Sequence, residues 1–280
     1  LNSHFRPISI LPACSKILEK IVAEQLTSFL EVENVLCESQ SGFRRGYSTC
    51  TALLNMTDEL LSAKDKGWSS VLASLDYSQA FDSVNIGMLV SKLGFLKFDE
   101  CSLRWFSSYL SGRSQVTKVD GRCSEVLQRG VGVPQGTCLG PILFLLYTYD
   151  LGTQTKYCSL HSYADDCQLV LTFPSNGLVE AIEKINVDLS KVKEWSDSHG
   201  LRLNPEKCSI LSLCSSYKRL TNDLNGKVIL DGKYLPVSET VNVLGVKIDS
   251  KLSFCSQVRN ICQRVLFRLR KFHGLKYVLP

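Results

Sequence analysis

No two of the 12 cysteines stand in C-x-x-C spacing, no hydrophobic run is long, and neither repeats nor low-complexity tracts interrupt the chain. The first absence leaves no zinc site implied. A disulfide scaffold is also disfavoured, because the chain is long and carries no secretory feature, so the thiols read as free. The longest strongly apolar stretch, "PILFLLY" from Pro141 to Tyr147, is far too short to span a bilayer. Nothing near Leu1 resembles a signal peptide. An intracellular protein, nuclear or cytoplasmic or both, with no membrane partner is the expectation. There is no initiator Met, and the chain ends directly after a basic stretch, which reads as a fragment of something longer.

What is present is a hydrophobic content of 44% in 280 residues, enough for a substantial core in one or two domains. The net charge of +5 is unevenly distributed. Residues 251–280 hold seven Lys and Arg (Lys251, Arg259, Arg264, Arg268, Arg270, Lys271, Lys276) and no Asp or Glu, leaving the first 250 residues at −2. A basic end on a nearly neutral body suits a polyanion such as nucleic acid, or else a solvated helix face.

Periodicity predicts a helix from about Ser15 to Leu30, carrying Leu18, Ile21, Val22, Leu26, Phe29 and Leu30. A polar loop, "ESQSGFRRGYST", leads to a second helix capped by Ser48 and ending near "KDKGW". "SSVLASLDYSQAF" reads as a strand that ends at Asp76, and an amphipathic stretch with Leu103, Phe106 and Leu110 follows. The loop "GVGVPQGTCLGP" introduces an apolar helix. "YADD" fits the tip of a β-hairpin whose second strand is "CQLVLTF". A helix from Leu178 to about Gly200 precedes strands at "CSILSL" and "VNVLGVKI", so the chain is an α+β protein.

Three carboxylates draw attention: Asp76 at a strand end, and the adjacent Asp165 and Asp166 at the hairpin tip. Singly, each has a plain alternative as a turn or surface residue. A buried pair of like charges would be costly, however, and a shared divalent cation would relieve the repulsion if the two strands lie side by side. Hard oxygen ligands with open water positions suit Mg²⁺ held jointly by protein carboxylates and a substrate triphosphate.

Seven blocks in one order, "FRPISILPACSKILEKI", "ESQSGFRRGYST", "LDYSQAFDSVN", "GVPQGTCLGPILFLLY", "YADD", "GLRLNPEKC" and "VNVLGVKID", resemble reverse transcriptases, specifically those of non-LTR (LINE-like) retrotransposons. The resemblance covers almost the whole chain. It implies a right-hand polymerase, with fingers and palm in residues 1–250, an antiparallel palm sheet packed on helices, and the start of a truncated thumb in residues 251–280. It implies an RNA template, a DNA primer and dNTPs as partners, and an endonuclease and remaining thumb elsewhere in a parent polyprotein.

Residue by residue, the resemblance makes Asp76 and Asp165 the holders of two Mg²⁺ ions, with Mn²⁺ as an alternative, and Asp166 a supporting carboxylate. The backbone carbonyl of Tyr77 is a further metal ligand on the family pattern alone. Phe81 would pack under the sugar and obstruct a 2′-hydroxyl, where its bland role is core packing. Arg44, and less directly Arg45, would grip the triphosphate. Lys207 would protonate departing pyrophosphate, or be only a solvated turn lysine. Gln135 and Gly136 would approach nucleotide and template, and Tyr163 and Ala164 join this substrate-binding set. Arg264, Arg268 and Lys271 would grip the template-primer backbone from one face of a thumb-like helix, with Val265, Leu266 and Leu269 on its buried side.

Four positions depart from the common pattern: Gln79, Thr137, Tyr149 and Cys167, standing where Lys, Ser, Asn and Thr are frequent. Tyr149 is the largest change. An RNA-directed DNA polymerase core is the leading reading. A retrotransposon-derived relic that folds and binds nucleic acid without polymerising is the alternative. An RNA-synthesising polymerase is disfavoured by Phe81 and by "ADD" in place of "GDD".

Overall fold

The computed structural model describes residues 8–214, 220 and 223–275. Phe5–Pro7 of the first motif and Lys276 of the basic end lie outside them. Helix α1 (Ala13–Val32) follows Pro12, and α2 (Thr49–Asp65) starts from a reciprocal capping box. In that box Ser48 Oγ accepts the Thr51 N–H at 3.2 Å, and Thr51 Oγ1 accepts the Ser48 N–H at 2.8 Å. Strands β1 (Ser69–Leu75) and β2 (Tyr77–Ser78) lead through a short 3₁₀ turn to α3 (Ile86–Phe95) and α4 (Glu100–Leu110). Asn85 and Asp99 cap those two helices by accepting the N–H groups of Met88 and Ser102.

An exposed two-tier ribbon follows, made of β3 (Arg113–Gln115), β4 (Lys118–Val119), β5 (Arg122–Cys123) and β6 (Leu127–Arg129). The apolar helix α5 (Gly140–Thr148) is buried at all but one of its positions. After it come β7 (Ser159–Tyr163), β8 (Asp166–Phe173), α6 (Leu178–Ser198), β9 (Arg202–Leu203) and β10 (Ser209–Leu213). The remaining elements are β11 (Ile229–Leu230), β12 (Lys233–Tyr234), β13 (Val237–Ser238), β14 (Thr240–Val243), β15 (Val246–Asp249) and α7 (Cys255–Leu275).

The central sheet runs β13-β10-β1-β8-β7. All its pairings are antiparallel except β10 with β13, which is parallel, so the sheet is mixed rather than purely antiparallel. Strand alternation divides its side chains between two cores. Val71, Ala73 and Leu75 of β1, Leu169 and Leu171 of β8, and Ile210 of β10 join the larger core with α5 and α6. Leu72, Val170, Leu211 and Leu213 face the other way, onto Met56 and Leu60 of α2 and onto Val241, Val243 and Ile248 of the β14–β15 hairpin. Central β1 is therefore covered on both sides, and truncating Leu72 to Ala would cost about 2–5 kcal/mol.

Two further expectations need correction. "VNVLGVKI" is a tight hairpin rather than one strand, because Leu244 and Gly245 both adopt left-handed φ, +50° and +82°, as a two-residue turn requires. Helix α7 exists, but Val265, Leu266 and Leu269 do not form a buried side: they are 49%, 54% and 56% exposed. The helix leaves the body beyond β15, and nothing among the described residues covers its apolar positions.

Tyr149 is accommodated. Its ring lies 5.2 Å from the ammonium of Lys92, which also meets the rings of Tyr147 and Trp195 at 5.6 and 5.4 Å. Lys92 is anchored by Asp150 Oδ1 at 2.6 Å and the Tyr147 carbonyl at 2.8 Å. Burial lowers its pKa, and Asp150 opposes that shift.

Candidate active site

Asp76 sits where the chain changes partners. Strand β1 pairs with β8 as far as Leu75 opposite Cys167, and β2 then pairs with β9 from Tyr77 opposite Leu203. Asp76 and Asp166 are the residues next to the Leu75–Cys167 pair on their two strands. The Asp76 N–H donates to Cys208 Sγ at 3.4 Å, and its carbonyl accepts the Asn204 N–H at 2.9 Å. Its Oδ2 is buried and has no hydrogen-bond partner, with Lys207 Nζ at ion-pair distance, 3.5 Å. The structure thus joins Lys207 to Asp76 through the 204–208 turn.

Tyr163 and Asp166 pair across a two-residue turn, Ala164–Asp165. Ala164 takes φ +59°, a left-handed conformation that costs a residue with a Cβ about 1–2 kcal/mol. Gln40 compensates. Its Oε1 accepts the Ala164 N–H at 3.1 Å and its Nε2 lies 3.5 Å from the Ala164 carbonyl. Gly42 is obligatory beside it, since a Cβ there would stand 2.4 Å from the Ala164 nitrogen. Asp165 is half-buried and Asp166 exposed, so solvent screens their repulsion. The expected electrostatic cost of the pair is therefore small, and the stronger case for a cation comes from the buried Asp76 oxygen, which has the Lys207 ammonium near it but no hydrogen bond.

Two loops close around this point. Phe81 lies in the turn after β2, stacked on Phe144 of α5 with centroids 4.4 Å apart and met edge-on by Phe43 at 6.5 Å. Its carbonyl accepts the Val133 N–H at 2.9 Å, and the Val84 carbonyl accepts the Gly132 N–H at 2.7 Å. These bonds fasten the Gln135 loop to the Phe81 turn. Gln135 Nε2 donates to Asp82 Oδ2 at 2.5 Å, and Arg129 Nη2 to Asp82 Oδ1 at 2.8 Å. Gly136, exposed with φ +89°, lies beneath Ile8 and Ser9, and the Ser9 N–H donates to the Gln135 carbonyl at 2.9 Å. Below the loop, Glu19 of α1 is 1% exposed and accepts both the Cys138 N–H and the Tyr109 hydroxyl, at 2.9 and 2.8 Å. Thr137 does what a Ser would: its hydroxyl donates to the Pro134 carbonyl and accepts the Gly140 N–H at the start of α5.

The other predicted residues divide. Arg44 folds back on its own loop, donating to the carbonyls of Cys37 and Gln40 at 2.8 and 3.1 Å with Tyr47 under its guanidinium, whereas Arg45 is exposed. The Tyr77 side chain points into the core to Ser196 Oγ at 3.0 Å, and burial drives its phenol pKa up. Cys167, pushed up to about 12 by burial, and Cys208, raised by the same cause, flank the site as neutral thiols. All 12 cysteines are free. Arg264, Arg268 and Lys271 lie apart from the carboxylates, on exposed α7.

Sequence reasoning missed Gln40, Gly42, Glu19, Asp82, Arg129 and Asn204. All but Arg129 stand inside the quoted motifs, so position in a motif was the available signal. As for a metal, no group of three or more His, Cys, Asp or Glu among the described residues gathers into a ready site. The Asp76 oxygen, ion-paired with Lys207 but without a hydrogen bond, and the carboxylates at the start of the neighbouring strand β8 nevertheless offer the hard oxygen donors that suit a divalent cation completed by substrate and water.

A sheet that delivers one strand-end carboxylate to a two-residue acidic hairpin is the palm arrangement of a right-hand polymerase, and comparison with solved structures agrees. The fold matches apo telomerase from Candida tropicalis, truncated from its C-terminal domain, with a TM-score of 0.54 at 15% identity, over 85% of this chain and 44% of that one. A Candida albicans telomerase, solved in complex with a telomeric RNA fragment, gives a TM-score of 0.52 at 14% identity, over 86% of this chain and 38% of that one.

Residues 2–248 match the family described as reverse transcriptase (RNA-dependent DNA polymerase). The chain belongs to that family, in its non-LTR, LINE-like branch. Among curated relatives, a probable RNA-directed DNA polymerase from transposon BS of Drosophila melanogaster is 30% identical over 97% of this chain and 30% of its own length. The RNA-directed DNA polymerase of the mobile element jockey, also from D. melanogaster, is 30% identical over 92% of this chain and 28% of its own. The chain spans less than a third of the length of these relatives. No helix among the described residues is long and apolar enough to cross a membrane.

Proposed function

We propose that this chain is the catalytic core of an RNA-directed DNA polymerase, transferring a deoxynucleotide from dNTP to a primer 3′-hydroxyl on an RNA template. The observation that carries this reading is the meeting of Asp76 with the 163–166 hairpin, where a buried carboxylate oxygen stands without a hydrogen-bond partner. Asp76 and Asp165 are the residues that would hold Mg²⁺, or Mn²⁺ in its place, with Asp166 and the Tyr77 carbonyl as further oxygen donors. Bound there, the cations would supply activation of the primer hydroxyl and charge neutralisation on the triphosphate.

The chain's own residues do the rest. Lys207, within ion-pair reach of Asp76, is poised to give a proton to departing pyrophosphate. Phe81, held between Phe144 and Phe43, is a rigid floor that excludes a ribose 2′-hydroxyl. Gln135 and Gly136 face the nucleotide and template strand, and Tyr163 and Ala164 border the primer end. Arg44, with its Nη1 held by the loop carbonyls of Cys37 and Gln40, and less directly the exposed Arg45 are the residues that would grip the triphosphate. Exposed α7 offers Arg264, Arg268 and Lys271 to the phosphates of the template-primer as the start of a thumb, the preceding residues forming fingers and palm.

Primer extension on poly(rA)/oligo(dT) with Mg²⁺ tests the reading. Wild-type chain should extend the primer, and Asp165→Asn should lose extension while keeping template affinity. Extension that survives Asp165→Asn would remove that residue from the chemistry. Template binding without extension, in this chain and in a longer parent protein alike, would favour the relic.

A further inference from the structure

We propose that Gln40 is the positioning residue of the acidic hairpin: its side-chain amide sets the left-handed conformation of Ala164 and so the direction in which Asp165 leaves the turn. The inference rests on the role given to Asp165 above.

Gln40 is 7% exposed, and its amide is spent on backbone. Oε1 accepts from Ala164 at 3.1 Å and from Gly42 at 2.8 Å, while Nε2 reaches the Ala164 carbonyl at 3.5 Å. One amide thus addresses both polar groups of the turn residue, as a neighbouring strand would. The residue itself is held in place, because the Ser41 N–H donates to the Ser162 carbonyl and the Ser162 N–H to the Ser39 carbonyl, each at 2.8 Å. Ser39–Gly42 therefore lies along the outer edge of β7 and stops at the turn.

Ala164 needs this support. A residue with a Cβ disfavours φ +59°, and Gly or Asn is the usual occupant of such a position. Removing the amide leaves two backbone groups of a half-buried turn to find other partners, and the preference of alanine for right-handed or extended backbone would then swing the peptide that carries Asp165. The Gln40 carbonyl also accepts Arg44 Nη1 at 3.1 Å, so the clamp is built into the same loop that presents Arg45.

Gln40→Met keeps the side chain's length and removes its polar atoms. In substrate-free protein, hydrogen–deuterium exchange at the Ala164 amide should then quicken by about tenfold or more, as befits a lost structural hydrogen bond. In primer extension kcat should fall by about tenfold or more, with KM for dNTP and affinity for template-primer holding within about twofold, the pattern of lost transition-state alignment. Gln40→Glu retains the acceptor for both N–H groups and should keep exchange slow. Gln40→Met combined with Ala164→Gly should recover much of the lost kcat, because glycine adopts the left-handed backbone unaided.

Unchanged exchange at Ala164 in Gln40→Met overturns the clamp whether or not the chain polymerises. Faster exchange with unaltered kcat, or no recovery from Ala164→Gly, overturns the positioning role. Should Gln40→Met not fold, Gln40→Asn, too short to reach Ala164, is read by the same two measurements. A wild-type chain that extends no primer counts against the proposed polymerase, and the exchange experiment still decides the clamp.

Discussion

Gln135 gives its amide N–H to Asp82 Oδ2 at 2.5 Å, and Asp82 in turn holds Arg129 through its other oxygen. The bond commits the nitrogen of Gln135 to the protein and turns its carbonyl oxygen the other way. Asp82→Asn should release that orientation and leave Arg129 without its carboxylate. We expect kcat/KM for dNTP to fall about 10–100-fold, equivalent to about 1.4–2.7 kcal/mol. Single-nucleotide extension under steady-state conditions measures this, and an unaltered kcat/KM would show that Gln135 needs no such restraint.

Phe81 is fixed by its stack on Phe144 rather than free to swing. Replacing it with Val shortens the floor beneath the sugar without adding a polar group. Ribonucleotide incorporation relative to deoxynucleotide should rise about tenfold or more, at a stability cost of about 1–3 kcal/mol for the lost ring. Competing rNTP and dNTP in one extension assay gives the ratio; unchanged selectivity would assign Phe81 to packing alone.

Glu19 lies far from the carboxylates in sequence yet holds the loop that carries Gln135 and Gly136. Glu19→Ala would take the acceptor from the Tyr109 hydroxyl and the Cys138 N–H, both part-buried bonds, costing about 1–3 kcal/mol. Glu19→Gln keeps one acceptor and should cost about half as much. Urea denaturation of the two variants resolves the difference, and equal midpoints with wild type would mean that the loop does not depend on this carboxylate.

His199 predicts a pH dependence of stability. Burial first, then the charge of Lys92, holds its imidazole pKa below the ordinary value, against the opposing pull of the Trp195 carbonyl and Asp150. Its ring stacks on Trp195 at 4.0 Å, and its carbonyl accepts the Tyr147 hydroxyl. Above about pH 6.5 the imidazole is neutral in folded and unfolded chains alike. Below that the unfolded chain takes up the proton first, so stability should decline as pH falls until the folded pKa is passed. Denaturant midpoints between pH 8 and 5 should show this decline in wild type and a shallower one in His199→Gln; parallel curves would place the acid-sensitive group elsewhere.

Much of this molecule was legible in order. The strand ending at Asp76, the Ser48 cap, the buried helix after "PQGTCLGP" and the acidic hairpin all rest on local rules of periodicity, capping and turn length. The sequence also flagged Asp76, Phe81, Gln135, Asp165 and Lys207, because their motifs can be read without coordinates. The β14–β15 hairpin was missed because its turn puts Leu at a left-handed position where Gly or Asn would have announced it. The buried face assigned to α7 was wrong because periodicity reports an apolar stripe but not whether anything covers it.

By itself, then, the sequence determined the element types, the family and the identities of the acidic and aromatic residues, since those depend on side-chain chemistry and near neighbours along the chain. Tertiary structure decided how they are supported. Gln40 reaches Ala164 across 124 positions, Glu19 reaches Cys138 across 119, and Asp82 reaches Gln135 across 53. No local pattern encodes these pairings. They exist because packing around the central sheet brings distant segments together, where each buried polar group must find a partner or pay the desolvation cost.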